Sequence, residues 1–492
     1  MSVRLQAADP VARVRSGCEG VVPLPSRLEP WQVELCARPD QLAGWIERYG
    51  SPLNVLDPAP LVRNAGELRA AATLAGVDLK VFFARKANKA LALVDEARCT
   101  GLGIDVAGER ELLQVLARDV PAADVMVTAA VKPRALLELC TSSGATVVID
   151  NADELSLLAE VAEHARRDVP VAFRLAPDLA APTRFGLAPD EIMRLVDRFW
   201  QPGARTRLVI TGLHFHLDGY EAAHRVAALG ELLELADALA GHGHRISFAD
   251  IGGGIPMSYL DGAEDWERFW SAHREALLGR GEPLTFEGHG LGLAAHAGEI
   301  IGRPSVYPYF QRSRRGPWLA GVLAGEVRTR AGSETAAQAL RSRGLQLRCE
   351  PGRSLLDGCG ITAARVEFRK QRRDGTWLIG LAMNRTQCRS TSDDFLVDPL
   401  LVPGRSAHGN GIEGYLVGAY CIERDLVTWR RLRFPFGVRV GDIVVFPNTA
   451  GYLMHILESA SHQIPLARNV LVQEMDRIDL DAIDANPRIS QS

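Results

Sequence analysis

From residue 78 to residue 254 the chain repeats one unit, a short apolar run followed by a helical stretch. That repetition constrains the fold more than any other feature of the sequence. The runs DLKVFFA (78–84), GIDV (103–106), DVMVTA (124–129), ATVVID (145–150), PVAFRLA (170–176), LVITGLHFH (208–216) and RISFADIGGG (245–254) read as strands. The stretches between them, over 89–97, 109–117, 133–141, 152–166, 189–200 and 222–240, read as helices. Strands joined by helical crossovers run parallel, because each crossover returns the chain to the same end of the sheet. Seven such strands need an eighth to close a (β/α)8 barrel, and QLRCEPG (346–352) can supply it. The expected fold is therefore α/β, a TIM-type barrel followed by a C-terminal all-β domain.

Around the barrel the texture differs. The first dozen residues read as disordered; then QLAGWIERYG reads as a helix stopped by Gly50, LNVLD (53–57) as a strand, and 60–75 as an amphipathic helix. Residues 260–345, with DWERFW and VYPYFQRSRRGPW, read as an inserted helical segment or lid. Beyond Gly352 helical periodicity ends and short strands take over, with Asp374-Gly375 as a hairpin signal. The expected division is an N-terminal segment (1–57), a barrel (58–355) with an insertion at about 260–345, and a β domain (356–492).

Composition excludes several function classes. Apolar residues make up 47% and charged residues 24%, and the net charge is −4, so neither nucleic acid nor an anionic membrane is an expected partner. No run approaches the ~18 apolar residues of a membrane span. The N-terminus has no apolar core of a secretory signal, so a cytoplasmic location is expected. Eight scattered cysteines form no CxxC pair, and there is no Walker A loop, HExxH or GxSxG motif.

In such a barrel the chemistry sits at the C-terminal ends of the strands. Lys86 directly follows the first strand, in FFARKAN, where a partly buried amine can form an imine. Gly252, Gly253 and Gly254 end the seventh strand and can wrap backbone N–H groups around a phosphate, or simply make a tight turn. Glu350 and Arg353, in EPGR, end the eighth strand. A carboxylate there can hold a proton on a ring nitrogen, and an arginine can pair with phosphate. His214 and His216 share one face of the sixth strand, but no third metal ligand follows at a useful spacing, so no metal is expected. Asp105 and Arg174 also lie at strand ends, either near a cofactor or as a structural ion pair.

The order and wording of these motifs closely resemble the fold-type III pyridoxal-phosphate (PLP) decarboxylases, which include the diaminopimelate, ornithine and arginine decarboxylases. The resemblance spans roughly residues 52–460. It implies that Lys86 holds PLP as a Schiff base, that His216 stacks on the ring, and that Glu350 faces the pyridine nitrogen. It further implies that Asp105 and Arg174 lie close to the cofactor, and that Gly252, Gly253, Gly254, Arg353 and Tyr452 contact its phosphate. In GAYCIERD, which matches the family's GxxCxxxD, Cys421 becomes the acid that reprotonates the α-carbon, and Asp425 a local structural residue. Arg184-Phe-Gly186 resembles the family's KFG segment. The family pattern HxHxGS departs here to HFHLDGY, so Gly219 replaces a phosphate-binding serine, leaving one hydroxyl fewer or a role for Tyr220.

The resemblance also implies an alanine-racemase-like barrel, an N-terminal segment packed with the β domain, and a head-to-tail homodimer with shared sites. A racemase is disfavoured by EPGR and Cys421, a non-catalytic PLP-binding barrel by the second domain, and an inactive regulator by the presence of Lys86, Glu350 and Cys421. Diamine-forming members carry Asp or Glu after the cysteine, where this chain has Ile422. The expected substrate is therefore a larger or acylated amino acid, such as a citrate-conjugated diamino acid of a siderophore or other specialised pathway. If 418–425 is extended, Glu423 points away from the side that Ile422 faces. Arg312, Arg314 and Arg315 read as a solvated basic loop or as a cover for an anionic substrate.

Overall fold

The computed structural model describes residues 9–179, 183–201, 206–330, 332–390, 395–404 and 409–485. These divide into two compact units. Described residues within 61–256 and 313–355 form one, and those within 9–60, 257–312 and 356–485 form the other. Of the expected disordered start, residues 1–8 lie outside the described residues, and a helix runs from Pro10 to Arg15.

The first unit is a closed barrel of eight parallel strands. In chain order they are β1 (Leu79–Ala84), β2 (Gly103–Val106), β3 (Val125–Val127), β4 (Thr146–Ile149), β5 (Val169–Arg174), β6 (Leu208–His214), β7 (Phe248–Asp250) and β8 (Gln346–Cys349). Closure comes from β8, whose Leu347 pairs with Leu79 of β1 and Ala249 of β7. Phe82, Met126, Val148, Ala172 and Phe248 pack as one buried cluster. Phe82 and Phe248 fit because their neighbours are glycines: a Cβ on Gly103 or on Gly212 would lie 2.3 Å from the respective ring. The crossover helices fall where the periodicity places them, from Leu91–Cys99 through Ala222–Gly241.

The second unit contains a ten-stranded sheet. Leu53–Leu56 belongs to it, antiparallel to Gly360–Gln371 and parallel to Arg468–Glu474. Gly360–Gln371 and Trp377–Leu381 form the hairpin signalled by Asp374-Gly375, with Gly375 at φ +87°.

Residues 260–345 are not a purely helical insertion. They hold helices Ala263–Leu277, Arg315–Ala324 and Ala336–Ser342 and two β-hairpins, Leu293–His296 with Glu299–Gly302 and Glu326–Thr329 with Gly332–Thr335. Arg315 is neither solvated nor free to cover a ligand: it is buried, with Nε and Nη2 2.8 and 2.9 Å from the two carboxylate oxygens of Glu67. No described helix is long and apolar enough to cross a membrane.

Candidate active site

Lys86 lies in a single 3-10 turn, Arg85–Ala87, just past β1. The neighbouring Arg85 is buried and tied to the carbonyls of Asn88 and Lys89 and to Gln114. Lys86 Nζ sits 2.9 Å from Oδ2 of the fully buried Asp105, near the end of β2. The other Asp105 oxygen accepts from the Thr128 hydroxyl. Arg174, at the end of β5, donates from Nη2 to Thr128 O at 2.8 Å and from Nη1 to Asp150 Oδ1 at 3.1 Å. Asp105 and Arg174 are therefore not each other's partners; each is paired separately. The Gly186 N–H also reaches Asp150, at 2.9 Å, and the Phe185 ring lies 5.1 Å from the Arg174 guanidinium carbon. The RFG segment thus braces Arg174.

Beside this network, His214, Asp250 and Glu350 bring one donor atom each within 4.8 Å of one another, all buried. The sequence offered no third ligand for the histidines; the ends of β7 and β8 supply two carboxylates to His214. His214 Nε2 is 3.4 Å from Glu350 Oε1 without hydrogen-bond alignment. Neither His214 nitrogen, nor Glu350 Oε1, nor Asp250 Oδ2 has a hydrogen-bond partner among the described residues. Burial pushes His214 well below the usual histidine range, so the ring is neutral. Burial, and next the Glu350 charge, push Asp250 well up. Burial also raises Glu350, while Lys86 and Arg174 pull it back down. Both carboxyls are therefore harder to ionise than a solvated carboxylic acid.

The glycine triplet stands against His216. The Gly253 N–H donates to His216 Nδ1 at 3.2 Å, which places the ring proton on Nε2. Gly252 and Gly254 have φ of +64° and +73°, the left-handed region. A Cβ would lie 2.5 Å from Phe215 O at Gly252 and 2.1 Å from Arg225 Nη2 at Gly254. Arg353 lies half-buried in the turns that follow Glu350.

Burial lowers His216 from 6.5 to about 3. An unfolded chain then takes up this proton near its ordinary value, while the folded one refuses it. The sign follows: stability is unaffected above pH 6.5 and falls as pH drops from 6.5 towards 3. His216→Asn is expected to flatten the melting temperature against pH in that window. An unchanged acid slope would show that His216 takes up its proton in the fold.

The remaining expected site residues belong to the β unit. Asp425 is buried and accepts from Arg385 N–H at 3.0 Å and Tyr420 N–H at 2.9 Å. Gly418 N–H donates to Asp425 O at 2.7 Å, and a Cβ on Gly418 would lie 2.1 Å from Asp425 Oδ2. The GxxCxxxD spacing is thus a loop closed around one carboxylate, with Cys421 exposed. Residues 419–424 are bends and turns, not a strand, so alternation does not decide where Glu423 points. Both Ile422 and Glu423 are exposed. Tyr452 is half-buried with φ +72°.

Five residues that the structure brings next to the candidate groups carry no site assignment in the sequence. Asp150 directly follows β4, so the strand-end rule could have found it, and Asp250 stands written in DIGGG. In HFH, spacing marks His214 only as half of a histidine pair. Thr128 and Arg225 carry no motif.

A lysine against a buried carboxylate, two carboxylates with unpartnered oxygens and a glycine turn are groups that an aldehyde cofactor with a ring nitrogen and a phosphate could use. PLP meets those requirements: the orphaned Glu350, Asp250 and His214 atoms suit its ring, and the turn suits its phosphate. The comparisons agree. Residues 64–281 match the model for the pyridoxal-dependent decarboxylase, pyridoxal binding domain. The diaminopimelate decarboxylase of Pseudomonas aeruginosa is 32% identical over 289 residues, covering 55% of this chain and 67% of that one. An uncharacterised protein of Sinorhizobium fredii, y4yA, is 31% identical over 437 residues, covering 88% and 90%. Helicobacter pylori diaminopimelate decarboxylase, solved with L-lysine, shares the fold with a TM-score of 0.66 at 15% identity, covering 91% of this chain and 99% of that one. This chain belongs to the fold-type III PLP-dependent decarboxylases; it is an enzyme whose cofactor is pyridoxal 5'-phosphate.

Proposed function

We propose that this enzyme decarboxylates a conjugated or otherwise enlarged amino acid, not a simple free diamino acid. Lys86 Nζ would hold the cofactor, with Asp105 fixing the amine and Arg174 held nearby through Thr128. His216 would lie against the ring and Glu350 at its nitrogen, while Gly252, Gly253, Gly254, Arg353 and Tyr452 would serve the phosphate. Bound PLP supplies the sink for the electron pair left when CO2 departs. Glu350, buried but near the charges of Lys86 and Arg174, which favour its anion, would face the ring nitrogen and retain a proton there. Cys421 Sγ, exposed on its loop, would return a proton to the substrate's α-carbon. Completion of each site by Cys421 of a second copy, in a head-to-tail homodimer, follows the family resemblance. Eight free thiols suit a reducing cytoplasm.

The observation that carries the substrate reading is Ile422, an exposed apolar side chain directly after Cys421. A distal ammonium brought against it would lose water without gaining a partner, at a cost of roughly 1–3 kcal/mol. An acylated side chain, such as a citrate conjugate of the kind siderophore pathways use, carries no such charge there. Specificity constants for ornithine, lysine and diaminopimelate are expected to fall roughly 10–100-fold below that of the preferred substrate. A free diamino acid turned over at ~10⁴ M⁻¹s⁻¹ or faster would refute the reading of Ile422 and assign the amine to Glu423.

A further inference from the structure

Arg225, in the first turn of helix Ala222–Gly241, is fully buried. Its Nη2 donates to Leu217 O at 2.9 Å, to Gly219 O at 2.7 Å and, more weakly, to Gly253 O at 3.4 Å. Its Nε and Nη1 have no hydrogen-bond partner, and no carboxylate lies within ion-pair distance among the described residues. Tyr220, half-buried, and next Asp218 and Glu221, both exposed, act on it only through space. The Trp318 ring, 5.9 Å from the guanidinium carbon, offers a weak substitute for an anion. Burial lowers Arg225 to about 10, so it remains a cation at neutral pH. A buried cation without a counter-ion is costly, and an arriving anion relieves that cost.

The surrounding backbone says where the anion belongs. In a trans peptide the C=O and the following N–H point in opposite directions. Holding the Gly253 carbonyl towards Arg225 turns the Gly254 N–H away from it. Gly252 N–H is occupied by Asp250 Oδ1 at 2.8 Å and Gly253 N–H by His216. The Gly254 N–H, on a half-exposed residue, has no partner among the described residues. A cation on the carbonyl side polarises that peptide and strengthens its N–H as a donor.

We propose that Arg225 is the positioning residue of the phosphate cradle: it anchors the Leu217, Gly219 and Gly253 carbonyls inward, frees the Gly254 N–H for the cofactor's phosphate, and supplies the positive charge behind it. Gly219 has no side-chain donor of its own, and Arg225 fills that deficit from below.

The test separates phosphate binding from general scaffolding. Full-length protein stripped of cofactor is titrated with PLP and with pyridoxal, which lacks the phosphate. R225M is expected to weaken PLP about tenfold or more while leaving pyridoxal within about twofold. R225K, which keeps the charge, should retain most PLP affinity, and R225Q, which keeps donors but no charge, should not. Inorganic phosphate should raise the melting temperature of the stripped wild type and of R225K, but not of R225Q. Should R225M fail to fold, R225K against R225Q makes the same comparison. Equal losses for PLP and pyridoxal, or R225Q matching R225K, would overturn the proposal and leave Arg225 a purely structural residue.

Discussion

Lys86→Ala is expected to lower CO2 release by at least ~10³-fold, the scale at which removal of one member of a catalytic constellation acts. The amine is held 2.9 Å from a fully buried carboxylate near the end of β2, so it is aimed rather than free to roam. Lys86→Arg should not rescue, because a guanidinium stays protonated and is no nucleophile. Borohydride treatment of the wild type should fix PLP on the peptide bearing Lys86, and the adduct should vanish in Lys86→Ala. Adduct found on Lys80 or Lys89 instead would remove the central assignment.

Cys421→Ala is expected to cost about 10²–10⁴-fold, as loss of a general acid does. Its partner experiment tests assembly. Mixing inactive Lys86→Ala with inactive Cys421→Ala should return roughly a quarter of wild-type activity, since half of randomly paired dimers are hybrids and each hybrid has one intact site. No recovery after demonstrated subunit exchange would mean that each chain builds its own site.

The barrel was legible because it rests on local periodicity. Each strand is a short apolar run, each crossover an amphipathic stretch, and parallel pairing follows from their alternation. Lys86, Glu350 and the glycine triplet are legible as candidates for a related reason: strand ends are where such barrels work, and those residues stand at strand ends in the sequence. The insertion was less legible, since hairpins such as Leu293–His296 with Glu299–Gly302 are short and lack strict alternation.

What the sequence determined by itself is therefore the barrel, the β texture after it, and the residue types offered at the strand ends. Tertiary structure alone decided how those types pair. It gave Asp105 to Lys86 and Asp150 to Arg174, placed Arg315 on Glu67, and set Arg225 beneath the glycines. The physical reason is that these groups come from different strands and helices. Their preferences are set by desolvation and by the charge of neighbours remote in the chain, and no local pattern records either.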